Sequence, residues 1–142
     1  SPAMIQADGF GFESTDSSSL VVCTANTYDL AKKLAKGIYG KFGLSVDIAL
    51  VQRLKPLSLD FRELLSKYDR IITLEDHLLS GGLGSLIFES MLDIFSRPAI
   101  LTFGIRDTFP PPGTLSEVRA AVNLDVESML SEIERQAFFC EI

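Results

Sequence analysis

The stretch Arg70-Ile71-Ile72-Thr73-Leu74-Glu75-Asp76-His77 limits the choice of fold more than any other part of this chain. Ile71 to Leu74 is a short apolar, β-rich run, and it reads as a buried strand rather than a helix. Acidic residues and the chain's single histidine follow at its carboxyl end. Gly81-Gly82-Leu83-Gly84-Ser85 then turns the chain into a helix. A buried strand leading into a helix is the unit from which open α/β sheets are built. In such sheets ligands and partners gather at the carboxyl ends of the strands. Glu75, Asp76, His77, Gly81, Gly82, Gly84 and Ser85 are therefore the first candidates for an interface or anion-binding loop.

The rest of the chain repeats the pattern. Leu20 to Thr24 is a β-rich run, followed by Leu30, Leu34, Ile38 and Phe42 at four-residue spacing, a helix with Asn26 or Thr27 as its N-cap. Gly40 and Gly43 bracket the expected end of that helix, and Leu44 to Val51 gives the next strand. Lys55-Pro56 interrupts the chain before a short helix that starts at Ser58 or Asp60 and runs through Leu64, Leu65 and Tyr68. Pro98 to Phe103 reads as a further strand, and Pro110 to Pro112 as an extended turn. Leu115 to Val122 and Asp125 to Phe139 read as two closing helices. Residues 1–19 form a polar leader in which Phe10-Gly11-Phe12-Glu13 is a candidate antiparallel edge strand, and residues 20–142 form one domain. The expected architecture is three-layer α/β/α around a mostly parallel, five-stranded sheet.

Charge and composition remove several functions. Nineteen acidic against thirteen basic residues give a formal net charge of -6, the wrong sign for a nucleic-acid binder. No run approaches the roughly 18 apolar residues of a membrane span, so no membrane association is expected. Ser1-Pro2-Ala3-Met4 lacks the basic and apolar regions of a secretory leader. Cys23 and Cys140 are expected to be free thiols in a reducing cytoplasm. One histidine and no metal-ligand spacing argue against a metal site in this chain.

Two readings compete at Glu75-Asp76-His77. One is an acid–base cluster; the other is a polar loop that caps the next helix or bonds a neighbouring domain. With no nucleophile or metal ligand nearby in sequence, the second is favoured. The glycine turn fits neither a Walker A loop nor GxGxxG, so a tight turn outweighs a phosphate cradle there. Asp107, flanked by Arg106 and Thr108, reads as a local hydrogen-bonded turn. The helix after the glycines says more. Leu83, Ile87, Phe88, Met91, Leu92, Ile94 and Phe95 sweep roughly 180° of its surface, where covering one sheet face takes about 100°. Phe88, Leu92 and Phe95 are therefore candidates for a second packing surface, against another domain or subunit.

Several separated motifs then coincide in order. Val21-Val22-Cys23-Thr24-Ala25 with Leu30-Ala31 is followed by Arg53-Leu54-Lys55-Pro56-Leu57, by the acidic and glycine loop, by Gly104-Ile105-Arg106-Asp107-Thr108-Phe109, and by Leu124-Asp125. Together they resemble the C-terminal domain of transketolase-type thiamine diphosphate enzymes, over about Leu20 to Glu134. The resemblance implies a parent with three domains. The first binds the diphosphate and magnesium, and the second binds the aminopyrimidine. The third, this chain, packs on the second and adds to homodimer contacts. It also implies that this chain itself contributes no catalytic, cofactor-binding or metal-binding residue. The Asp-His pair and the Arg-Asp-Thr-Phe run lean toward transketolase, which moves a two-carbon ketol unit between sugar phosphates. Phe109-Pro110-Pro111-Pro112-Gly113-Thr114 leans toward 1-deoxyxylulose-5-phosphate synthase. A stand-alone subunit-binding module without catalysis remains open beside both. The polar leader reads as a tether from a preceding domain or as a disordered tail.

Overall fold

The computed structural model describes residues 4–5, 10–13, 17–51, 63–75, 87, 99–104, 117–121 and 125–139. In chain order these form β1 (Met4–Ile5), β2 (Phe10–Glu13), β3 (Ser19–Cys23), a 3₁₀ turn (Ala25–Thr27) and α1 (Tyr28–Phe42). Then come β4 (Asp47–Val51), β5 (Arg70–Glu75), β6 (Ala99–Gly104), β7 (Glu117–Ala121) and α2 (Val126–Arg135). The strands make one sheet in the order β1-β2-β4-β3-β5-β6-β7. The five from β4 to β7 run parallel, while β2 pairs antiparallel with β4 and β1 antiparallel with β2.

Apolar runs without alternation bury both faces of the central strands. Leu20 and Val22 of β3 join Ile71 of β5 and Ile100 of β6 in one core cluster, with Leu65, Tyr68 and Ile87 packed among them. Val21, Cys23, Ile72, Leu74, Leu101 and Phe103 enter the opposite cluster. There Ala31, Leu34 and Ile38 of α1, and Met129 and Ile133 of α2, cover the sheet. Each large side chain so buried contributes about 1.5–3 kcal/mol. This is the expected α/β/α layering, and no described helix is long and apolar enough to cross a membrane.

Local chemistry ends the helices where it can be read. Gly43 adopts φ 71° and donates its N–H to the Tyr39 carbonyl at 2.9 Å, a left-handed cap. Gly40 lies inside α1 rather than at its end. Asp125 caps α2 as expected, accepting from the Ser128 N–H at 2.8 Å. At the other end the N–H groups of Ala137 and Phe138 bond the carbonyls of Glu134 and Ile133, with Ala137 at φ 52°. This is a Schellman closure without its usual glycine. Gly37 has a different duty. A Cβ there would meet Leu130 at 2.9 Å and Val126 at 3.0 Å, so its small size lets α1 and α2 approach.

The structure corrects the sequence reading in several places. The helix expected over Leu115 to Val122 is instead strand β7, paired along Ile100 to Gly104 of β6. Glu117, Arg119, Ala120 and Ala121 sit in a run of helix formers, but propensity is a weak local preference. The exposed edge of β6 offers a continuous ladder of backbone hydrogen bonds, and the ladder wins. The sheet is accordingly wider than five strands. The strand expected from Leu44 begins at Asp47, and the helical turn toward Tyr68 covers 63–65 with turns after it. The expected edge strand Phe10–Glu13 is present and antiparallel. Lys55-Pro56, Ser58, Asp60, Asp107, Pro110 to Pro112 and Cys140 lie outside the described residues.

Candidate functional site

The parallel strands follow the order β4-β3-β5-β6-β7, so the chain steps one way from β3 and then the other. That reversal places the topological switch point between the carboxyl ends of β3 and β5, the usual position of a ligand crevice. β3 leads there into Thr24 and the 3₁₀ turn, and β5 ends at Leu74 and Glu75.

A threonine bridges the switch point. The Thr27 hydroxyl, 3% exposed, accepts the Thr24 N–H at 3.0 Å and donates to the Leu74 carbonyl at 3.1 Å. The Thr27 N–H bonds the Thr24 carbonyl at 3.1 Å, and the two threonine oxygens lie 3.3 Å apart. Two of the turn's amides, those of Thr24 and Thr27, are thus spent on the turn itself. The arrangement ties β3 to β5 and holds the peptide just before Glu75. Thr27 was anticipated only as a helix cap, and its side chain makes no such bond to α1. Two threonines three residues apart, immediately after a buried strand, were the available signal.

Of the candidate loop, the backbone of Glu75 closes β5 opposite Gly104 of β6. Asp76, His77, Gly81, Gly82, Gly84 and Ser85 lie outside the described residues, as do Phe88, Leu92 and Phe95. Ile87, from the apolar arc of that helix, is helical and fully buried against the sheet. One side of the arc therefore belongs to this domain's own core.

A second polar cluster lies at the opposite, amino edge and was not anticipated. Asp47 is 2% exposed and accepts the Tyr68 hydroxyl at 2.6 Å. The Ser17 N–H reaches the other carboxylate oxygen at 3.4 Å, and the Ser17 hydroxyl donates to the Ser45 carbonyl. Arg70 Nε donates to the Phe138 carbonyl at 2.8 Å, bringing the chain's last turn to the head of β5. Asp47 and Tyr68 are buried and the Arg70 bond is partly so, which makes these bonds a clamp between segments far apart in sequence. Nearby, a shallow groove of about 280 Å³ is lined by Ala35, Lys36, Tyr39, Ser45 and Val46. On α2, the Arg135 guanidinium bonds both oxygens of Glu132 and, against the opposing effect of burial and with help from the Gln136 amide, holds that carboxyl below its ordinary value of 4.5. Cys23 is a buried thiol outside any disulfide and donates to the Ala49 carbonyl at 3.6 Å.

The family model for the transketolase C-terminal domain matches residues 13–129. The chain belongs to that family. Curated relatives are 1-deoxy-D-xylulose-5-phosphate synthases. That of Aromatoleum aromaticum is 31% identical over 94 residues, covering 66% of this chain and 15% of the relative. Those of Bacteroides thetaiotaomicron and Azobacteroides pseudotrichonymphae are 36% identical over 93 residues and 30% over 111, covering 63% and 78% of this chain. The chain spans between 13% and 17% of the length of such relatives. A solved chain described as a split gene transketolase, inactive beta4 tetramer, shares the fold. Its TM-score is 0.56 at 24% identity, covering 69% of this chain and 32% of that one. A transketolase C-terminal domain is thus what the wider parallel sheet, with its bridged switch point, represents here.

Proposed function

We propose that this transketolase C-terminal domain, whose sheet includes β1 and β2 of the N-terminal segment, is the non-catalytic assembly domain of a thiamine diphosphate-dependent transferase. Its parent moves a two-carbon unit onto a sugar phosphate. What supports the reading is the family match over residues 13–129, together with a switch point bridged by the Thr27 bond to the Leu74 carbonyl. The thiamine diphosphate and magnesium belong to the two other domains, and the cofactor's ylid supplies the chemistry there. The loop from Glu75 to Ser85 and the outer arc Phe88, Leu92 and Phe95 then pack on the pyrimidine-binding domain. Between the two parents, the curated relatives favour a 1-deoxyxylulose-5-phosphate synthase over a transketolase. The tetramer named for the structural neighbour supports assembly with further copies.

Co-expression with a 1-deoxyxylulose-5-phosphate synthase of Bacteroides thetaiotaomicron cut before its own C-terminal domain tests this reading. The chain alone is expected to show no turnover and no calorimetric binding of thiamine diphosphate with magnesium. Added to the truncated enzyme, it is expected to co-purify and restore turnover, and Leu92→Asp to abolish both while staying folded. Cofactor binding by the isolated chain, or co-purification indifferent to Leu92→Asp, would overturn it.

A further inference from the structure

The two helices on one face of the sheet carry opposite charge. Within α1, Lys32, Lys33, Lys36 and Lys41 stand against Asp29 alone, a net of +3. In α2 with its cap, Asp125, Glu127, Glu132 and Glu134 stand against Arg135, a net of -3. Part of this charge is matched within the chain. Lys41 pairs with Glu134 at 3.3 Å, and Arg135 with Glu132. Lys33, Lys36 and Glu127 are exposed and make no ion pair among the described residues. Tyr39, 64% exposed, lies beside Lys36 on the rim of the shallow groove. In a chain whose net charge is -6, a basic helix face is the exception, and the complement it needs stands on the neighbouring helix.

The helices run in the same direction. Gly37 lies against Val126 and Leu130, Lys41 against Glu134, and the Phe42 ring is 5.5 Å from that of Phe139. A two-fold axis between them and parallel to them would lay the α1 of each copy over the α2 of the other at the same level. Such a surface is self-complementary, the condition for an isologous dimer. The alternative axis, across the helices, sets lysines against lysines and is repelled.

We propose that the outer surface of α1 and α2 pairs with a second copy of this chain, each basic helix against the other's acidic helix. Lys33 and Lys36 then meet Glu127 of the second copy, twice per dimer. Exposed ion pairs are individually weak and screened by salt, so this association is weak and salt-dependent. It does not depend on which enzyme the domain serves.

Sedimentation velocity of the 142-residue chain over a concentration series tests it, at low salt and near 0.5 M sodium chloride, where screening is several-fold shorter-ranged. A dimer is expected at low salt, with its dissociation constant at least about tenfold higher at high salt. Lys33→Glu with Lys36→Glu is expected to leave a monomer of unchanged circular dichroism. Glu127→Lys with Ser131→Lys is expected to do the same. Mixing the two variants makes every cross-contact opposite in sign again and is expected to restore a dimer that neither forms alone. A wild-type chain monomeric at low salt, including one that binds only an acidic segment of another protein, overturns the proposal. So does a dimer indifferent to the reversed charges, or a mixture that stays monomeric.

Discussion

The two edges of the sheet are held by different chemistry. At the amino edge a buried carboxylate, a phenol and a guanidinium join segments far apart in sequence: Ser17 and Tyr68 to Asp47, and Arg70 to Phe138. At the carboxyl edge two neutral hydroxyls and their own backbone make the bridge, through Thr24, Thr27 and Leu74. Bonds to charged groups are stronger than neutral ones and cost more when broken. The amino edge is therefore built to keep the domain together. The carboxyl edge is held by neutral bonds alone. In α/β sheets a division between stability at one end and function at the other is general.

That contrast is open to direct attack. Asp47→Ala removes the acceptor of both Tyr68 and Ser17 in a buried place, and is expected to cost about 3 kcal/mol. Urea denaturation measures it, and a loss near zero would mean that the amino edge is no clamp. Thr27→Val keeps the shape but forfeits the bond to the Leu74 carbonyl and the acceptor for the Thr24 N–H. A loss of about 1–2 kcal/mol is expected, smaller than at Asp47; a larger one would reverse the ranking of the edges. The same substitution one strand over should act in the opposite direction. Among the described residues Thr73 has the buried side-chain oxygen that lacks a hydrogen-bond partner. Thr73→Val is expected to raise stability by about 1 kcal/mol, and a loss would reveal an internal water bonded there. The smallest effect belongs to Ala137, which closes α2 at φ 52°. Ala137→Gly is expected to gain about 0.5 kcal/mol, read as a higher urea midpoint.

How much of this was legible depended on the range of the interaction. The strands at Leu20, Ile71 and Pro98 were visible because burial on both faces leaves an unbroken apolar run. Asp125 was visible as a cap because its bond partner, Ser128, is three residues away. The Thr27 bond to Leu74 spans 47 residues, and nothing local marks it beyond the pair of threonines. Nothing singled out Asp47 within the expected strand Leu44 to Val51, because Tyr68 meets it only once β4 and the turn ahead of β5 are stacked.

The same physics divides what each level of description decides. From sequence alone came the α/β layering and the family, both carried by hydrophobic pattern and short motifs. Only the tertiary structure decided that Glu117–Ala121 is a strand, because the hydrogen bonds that make it one belong to the edge of β6. Only the tertiary structure set the strand order that creates a switch point, and then bridged that point with Thr27. Side-chain periodicity records what a segment buries, whereas pairing partners and edges exist only after the chain has closed on itself.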